Sequence, residues 1–282
     1  MTLLEQEVDI EEAQNQLKEI VKPFQQELSR QQKRLDLIKK CIQCTEKNDF
    51  FQLDELLKSK QAIDVLADST LSSCAPIFSQ LQKYADQQIE QYTSEFKSGL
   101  IQAAEKVGLP MEVDLPRFFV LKGIEGEVSF ATRRTRLNDL MIKSFDPKRI
   151  VSMAMNLKRK LYDTAFDPQL FIDSLFLCYQ EIVSKEKLKI GDAVPIYQLY
   201  TGYVWSLQSK AFLQNMDKGK FKGYSVEQLA VDFWRFFTST ASKTEKGYSI
   251  RLAAGRNNSI WLIDQLGEKR QISHASFAKE VP

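Results

Sequence analysis

Few residues of this 282-residue chain have the types and spacing that metal binding or redox chemistry requires. Cys41 and Cys44 form a C-x-x-C pair, which can hold zinc or act as a redox site. Zinc needs two further ligands at similar spacing, and the single histidine, His274, lies far along the chain. A redox pair is typical of a βαβ context, whereas this pair falls within a helical repeat. We therefore interpret both cysteines as structural and expect no metal or cofactor.

Paired carboxylates are the other candidates for chemistry, because they could bind magnesium for phosphodiester cleavage. The nearest pairs are Glu112 with Asp114, and Asp264 with Glu268 beside Lys269. Their spacing is loose, and carboxylates near turns commonly cap the backbone or remain solvated. The sequence also lacks the phosphate-binding, dinucleotide-binding, nucleophile-elbow and zinc-protease motifs. We therefore expect a protein that is not an enzyme, and keep a divergent metal-dependent nuclease as a third hypothesis.

Positive charge is concentrated in the middle of the chain. Residues 1–108 carry 13 Lys and Arg against 18 Asp and Glu, whereas residues 133–160 carry nine basic side chains against two aspartates. Nucleic-acid backbones are recognised by such clusters, because each cation placed near a phosphate releases counterions. The nucleic-acid-binding residues predicted on this basis are Arg133, Arg134, Arg136, Lys148, Arg149, Lys158, Arg159, Lys160, Arg251 and Arg256. A solvated basic surface is the alternative interpretation.

These cations follow a segment whose apolar residues alternate at spacings of three and four. Once Gln14 and Gln31 are admitted, the stripe comprises Ile10, Leu17, Val21, Phe24, Leu28, Leu35, Ile38 and Ile42. This spacing predicts a helix with a heptad seam. Pro23 predicts a kink or a fresh helix start, because proline lacks a backbone donor. A second long helix is predicted from Ile77 to Val107.

Neither long helix can bury its apolar stripe alone. The pattern favours an antiparallel hairpin of the two helices, and a seam shared with a partner chain is the alternative. In that second arrangement the partner-binding residues are Leu17, Val21, Phe24, Leu28, Leu35 and Ile38. Residues 1–108 are therefore interpreted as a helical coiled-coil arm.

The remainder of the chain alternates predicted helices with short hairpins. Residues 109–165 are interpreted as a β-hairpin around Gly123 to Gly126 and a basic helix that begins at Pro147. Residues 166–282 contain a helix from Pro168 and a helix opened by a Ser225 and Gln228 capping box. A hairpin is then predicted through residues 248–263, turning at residues 255–258, with a third short strand at Gln271 and Ile272.

The expected fold is mainly α with small β-hairpins, an α+β class. A long-helix hairpin or coiled coil at the N-terminus precedes a helical domain whose C-terminal half resembles a winged helix in element order. In that arrangement Arg251 and Arg256 lie on the wing, beside a nucleic-acid groove. Winged helices also dock proteins, so this order alone does not fix the function.

The leading functional hypothesis is a non-catalytic accessory or adaptor subunit of a nucleic-acid-handling complex. The acidic arm would bind a protein partner, for example an SMC-like or other coiled-coil ATPase, and the basic patch would bind DNA. Bacterial genome maintenance and defence against phages or plasmids are settings for such subunits. The alternative is a purely protein-binding scaffold or oligomer, whose basic segment complements its own acidic arm.

The cytoplasm is the expected location. The first 12 residues are acidic and carry no basic and apolar signal segment. The four cysteines are sparse and irregularly spaced, which is typical of a reducing compartment. No apolar run approaches the roughly 18 residues of a membrane span, so a membrane role is not expected.

Overall fold

The computed structural model describes residues 10–279, and the fold is mixed α+β with a long N-terminal helix and small antiparallel sheets. The chain divides into two compact units. The first comprises the chain up to Ser98 together with Phe130–Thr132, and the second comprises Gly99–Ser129 and the chain from Arg133 onwards. Within residues 10–279, no helix combines the length and the hydropathy that crossing a membrane requires.

The first unit is helical. Its elements are α1 (Ile10–Glu46), α2 (Phe50–Leu57), α3 (Lys60–Leu66) and most of α4 (Cys74–Lys106). Asp49 and Ser59 cap α2 and α3 by accepting hydrogen bonds from Gln52 N and Ala62 N. One buried cluster joins the four helices through Leu37, Cys41, Cys44, Leu53, Ala62, Val65, Phe78 and Ala85. Only the last turns of α1 contribute to this core.

The C-x-x-C pair lies inside that core. Burial raises the pKa of the Cys41 thiol to about 11, and burial also raises the pKa of Cys44. In the second unit, burial raises the pKa of the Cys178 thiol. Thiolates are the reactive form of cysteine, so these three buried thiols are poor nucleophiles at neutral pH.

Thiol titration should therefore distinguish Cys74 from the other three cysteines. Cys74 is partly exposed, whereas Cys41, Cys44 and Cys178 are buried. We expect about one thiol to react rapidly with a disulfide reagent in the native protein and all four to react after unfolding. Absorbance of the released thiol measures both numbers. The Cys74→Ser variant is the control, and rapid native reaction in that variant would contradict the buried assignment.

The second unit begins with a five-stranded antiparallel sheet in sequential order. Its strands are β1 (Glu112–Asp114), β2 (Arg117–Leu121), β3 (Ile124–Ser129), β4 (Arg134–Leu137) and β5 (Leu140–Ile142). The expected hairpin is confirmed as β2 and β3, but its turn is Lys122–Gly123, where Gly123 has a φ of +82°. That value suits glycine, because side chains clash in this region. Strands β1, β4 and β5 extend the hairpin beyond what the pattern indicated.

Five helices follow in the second unit. They are α5 (Pro147–Tyr162), α6 (Pro168–Lys185), α7 (Ile196–Ser206), α8 (Lys210–Asn215) and α9 (Val226–Phe237). The helix starts at Pro147 and Pro168 are confirmed, because Asp146 and Asp167 accept hydrogen bonds from the amides of their first turns. Ser225 caps α9 by accepting from Gln228 N.

The C-terminal sheet differs from the expected hairpin. Its strands are β6 (Val194–Pro195), β7 (Tyr248–Ala254), β8 (Ile260–Ile263) and β9 (Lys269–Lys279). In the described chain, β7 and β8 each pair with β9 rather than with each other. The predicted third strand was too short, because polar Ser273, His274 and Ser276 interrupt the buried apolar residues Ile272, Ala275 and Phe277. The loop after β7 therefore does not join two paired strands.

Candidate functional site

The N-terminal arm exposes its apolar stripe to water. Helix α1 runs through Pro23 as one element, so the expected fresh helix start is absent from it. Large fractions of the seam side chains are accessible, including 61% of Leu17, 72% of Phe24 and 68% of Leu28. The exposed seam residues are Ile10, Leu17, Val21, Phe24, Leu28 and Leu35, and Ile42 is exposed again beyond the partly buried Ile38. We call residues 10–35 of α1, with this stripe, the free arm.

The favoured helix hairpin does not cover the free arm. Helices α2 and α3 pack against the C-terminal part of α1, where Leu37 and Cys41 are buried. Helix α4 reaches the same cluster through Phe78 and Ala85. The two short helices lead the chain back to the C-terminal end of α1, so α4 packs in the same core as that end only. Ile38, which was also predicted to bind a partner, is partly buried and packs against this core.

Four of the predicted nucleic-acid-binding cations share the solvent face of α5. Ile150, Val151, Ala154, Leu157 and Leu161 bury the opposite face. Ser152 and Asn156 lie between the exposed cations of the first and last turns. These cations are Lys148, Arg149, Arg159 and Lys160, which we call the basic face of α5. Among residues 10–279, none of the four forms an ion pair.

The other predicted cations lie elsewhere on the second unit. Arg134 and Arg136 project from the exposed side of β4, and Arg133 precedes them with a φ of 52°. Arg136 Nη2 lies 2.6 Å from Glu127 Oε2, and Lys158 Nζ lies 2.6 Å from Asp163 Oδ1. These two pairs reduce the positive charge available to a polyanion.

Arg251 and Arg256 are both exposed. Arg251 lies on β7, where its Cα pairs in register with that of Ser276. Arg256 lies in the loop that follows β7. Arg251 is in the second sheet and Arg256 is in the loop beside it, so neither lies on the helix that carries the basic face.

A buried polar network fixes the C-terminal end of α5 to α9, and it was missed from the sequence. Asp232, only 5% exposed, accepts hydrogen bonds from Tyr224 Oη at 2.7 Å and Gln228 Nε2 at 3.0 Å. Gln228 Nε2 also donates to Leu161 O, so its side chain does not complete the expected capping box. Arg235 donates to Asp232 and to Thr164 O. The sequence signal for this network was Asp232, because an aspartate within the apolar run of α9 needs buried hydrogen-bond donors.

A groove of about 650 Å³ lies within the second unit, between the exposed side of the first sheet and α9. Asn138 closes one part of it, donating to Gly123 O and Glu227 Oε1. Its charged lining residues are Arg117, Glu125, Glu127, Arg136, Asp139, Glu227 and Lys269. Carboxylates outnumber cations in this set, so the groove offers a polyanion no electrostatic advantage.

The candidate nuclease carboxylates have structural or solvent-facing positions. Asp264 Oδ1 accepts from Leu266 N and Glu268 N, each at 2.9 Å, and Asp264 Oδ2 lies 2.6 Å from Arg270 Nε. Asp264 therefore stabilises the β8–β9 turn. Glu112 and Asp114 are exposed on the edge strand β1. Across residues 10–279, no three His, Cys, Asp or Glu side chains are grouped closely enough to hold a metal ion.

The chain was compared with protein-family models, with curated proteins and with solved structures. None of the three comparisons finds a match.

Proposed function

We propose that this protein is a non-catalytic adaptor that holds other macromolecules together. The free arm pairs with a long helix of another chain, and the basic face of α5 contacts a nucleic-acid backbone. The observation that carries the proposal is the exposed heptad stripe of the free arm, which retains coiled-coil spacing from Ile10 to Leu35.

The free arm has the physical properties of a docking helix. Full burial of one large aliphatic or aromatic side chain contributes about 1.5–3 kcal/mol. Burial of the six exposed seam side chains of the free arm would therefore stabilise a complex substantially. Monomeric proteins rarely leave contiguous apolar surface of this kind exposed. Apart from Ala13, Ile20 and Pro23, the other side chains of the free arm are polar or charged. A partner that supplies a matching apolar seam would remove the stripe from water.

The basic face of α5 supports the nucleic-acid half of the proposal. Lys148 and Arg149 lie in the first helical turn, where the helix dipole is already positive and cations gain nothing from it. Asp146 accepts the hydrogen bond from Lys148 N, so the two side chains rather than the backbone amides would contact phosphate. Arg159 and Lys160 extend the cationic row by about 18 Å along the helix.

Several more specific elements belong to the same proposal. A coiled-coil ATPase in genome maintenance or in defence against foreign DNA is a partner of the required kind. Arg251 and Arg256 extend the nucleic-acid surface if the C-terminal half acts as a winged helix does, with the loop after β7 beside a groove. The cytoplasm is the proposed location.

Removing the basic face of α5 should weaken DNA binding. The variant Arg149→Ala/Arg159→Ala/Lys160→Ala loses three cations without leaving buried groups unpaired. We expect its affinity for duplex DNA at about 50 mM salt to fall about 100-fold, and the slope of log affinity against log salt to decrease in magnitude by about 3. Fluorescence anisotropy over a salt series measures both quantities.

The matched control is Lys83→Ala/Lys97→Ala/Lys106→Ala, which removes three exposed lysines of α4. It makes the same change in net charge and should leave most of the affinity intact. Arg133→Ala/Arg134→Ala/Arg136→Ala tests the cluster singled out by sequence, and its effect should be smaller because Glu127 already pairs with Arg136. Equal losses in the control and the α5 variant would contradict a specific basic face.

A purely protein-binding scaffold is the second candidate function. The ion pairs Arg136–Glu127 and Lys158–Asp163 favour it, because they neutralise two cations of the predicted patch. Under this alternative the unmodified protein has no measurable DNA affinity even at low salt.

A further inference from the structure

We propose that the occupant of the free arm is a second copy of this chain, paired antiparallel in one defined register. This inference rests on the proposed function, because it names the helix that the arm docks: a second copy takes the place of a coiled-coil ATPase on this seam. In this register the residue numbers of the two facing residues add up to 45. The facing layers are Ile10 with Leu35, Gln14 with Gln31, Leu17 with Leu28, and Val21 with Phe24, each pair formed across the two copies.

The two glutamines select this register among the antiparallel ones. They are the polar members of the stripe from Ile10 to Leu35, and the register places Gln14 against the partner's Gln31 at both ends of the dimer. A glutamine side chain has both an acceptor and donors, so two facing amides can satisfy each other. A shift by one heptad puts Gln14 against Phe24 or Ile38 instead. Polar layers of this kind fix register in coiled coils, and this dimer has two of them.

The length of exposed helix matches the overlap. The facing layers extend from Ile10 to Leu35, which spans about 38 Å of helix. The following seam residue, Ile38, already packs against the core of the first unit. Ile42 is exposed beyond it, so it is the uninterrupted part of the exposed seam that ends at Leu35, where the antiparallel overlap ends. A parallel seam would continue through Ile38 and require it to leave its own core.

The helix dipoles favour the antiparallel orientation, because they oppose each other only in that arrangement. Arg34 pairs with Asp68 of its own chain, so it is not a charge partner for the other arm.

Pro23 is compatible with the interface. It lies two positions after the seam residue Val21, on the side of the helix away from the seam. Its missing backbone donor therefore faces water near the two-fold axis, and no seam contact depends on it.

Sedimentation equilibrium of the full chain tests the association. We expect twice the 32.5 kDa mass of one chain, and a monomer for Leu17→Asp/Leu28→Asp. These aspartates are solvated in the monomer but would be buried in two layers of the dimer, so the dissociation constant should rise at least about 100-fold. Gln25→Asp/Gln26→Asp is the matched control outside the seam and should remain a dimer. Far-UV circular dichroism establishes that both variants stay folded.

Cysteine cross-linking tests orientation and register. In a Cys74→Ser background, a chain carrying Leu17→Cys is mixed with a chain carrying Leu28→Cys and oxidised. We expect the mixture to form a covalent dimer linking the two different chains, and Leu17→Cys alone to form little. Efficient cross-linking of Leu17→Cys with itself would show a parallel pair and overturn the register.

A monomeric unmodified chain in sedimentation overturns the second-copy proposal, and capture of another protein's helix then remains the role of the arm. Loss of DNA binding on substitution of α5 is measured separately. If those α5 substitutions have no effect, the nucleic-acid half of the proposed function fails while the dimer can stand.

Discussion

The Gly126→Val variant is expected to lose about 3 kcal/mol or more of the unfolding free energy of the second unit. Gly126 faces Phe118 across β2 and β3, and Phe118 is fully buried. A Cβ atom on Gly126 would lie 2.0 Å from Phe118 Cζ. The phenyl ring would have to move inside a packed core, and close packing makes such a movement costly.

Urea denaturation followed by tryptophan fluorescence measures this loss, because all three tryptophans belong to the second unit. Gly223→Ala is the control, since a Cβ there meets nothing within 4 Å. We expect that control to change the unfolding free energy by no more than about 0.5 kcal/mol. Similar denaturation midpoints for the Gly126 variant and the unmodified protein would show that the ring does not cover the glycine as described.

The Asp232→Ala variant is expected to lose about 3 kcal/mol, measured in the same denaturation experiment. The change removes the acceptor of Tyr224 Oη and of Gln228 Nε2, together with the carboxylate beside Arg235. Buried donors then lose their partners without regaining water. Asp139→Ala, which removes an exposed carboxylate of the same unit, is the control and should have little effect. A loss no larger than that of the control would contradict a stabilising network.

The Asp232→Asn variant separates hydrogen bonding from charge. Burial raises the pKa of Asp232 above its usual 3.8, although hydrogen bonds from Tyr224 and Gln228 act in the opposite direction. The unfolded carboxyl therefore loses its proton first as the pH rises. We expect the stability of the unmodified protein relative to Asp232→Asn to fall from about pH 3.8 upwards, and to level off once Asp232 ionises in the folded state. A constant difference across this range would show that the pKa is not raised.

Both substitutions bear on the proposed nucleic-acid surface. Gly126 lies on β3, which contacts α5, and the Asp232 network holds Leu161 O at the end of α5. Substitutions at Gly126 or Asp232 should therefore weaken DNA binding by shifting α5, although they remove none of its cations. The cations themselves can be removed with little loss of stability, because they are exposed.

Local signals in the sequence predicted many of the element boundaries correctly. Asp146 and Asp167, each followed by proline, predicted the starts of α5 and α6, because capping depends only on neighbouring residues. The β2–β3 hairpin was likewise predicted from a short apolar alternation with glycine between its strands. The heptad spacing predicted the long helix α1 and the stripe along it.

Other features depended on contacts between distant residues. Periodicity identified the stripe of α1 but could not show whether α4 or another chain covers it, because both solutions have the same pattern. The polar residues of β9 concealed an eleven-residue strand that pairs with three others. Tertiary contacts therefore decided both the exposure of the arm and the arrangement of the second sheet.

The candidate site shows the same division. The sequence by itself determined that cations are concentrated in residues 133–160 and that the first long helix carries a coiled-coil seam. Only the tertiary structure decided that Glu127 pairs with Arg136 and that Asp163 pairs with Lys158, which leaves the four cations of the basic face of α5 without an ion pair among residues 10–279. Charge content is a property of composition, whereas available charge depends on which carboxylates the fold brings within a few ångströms.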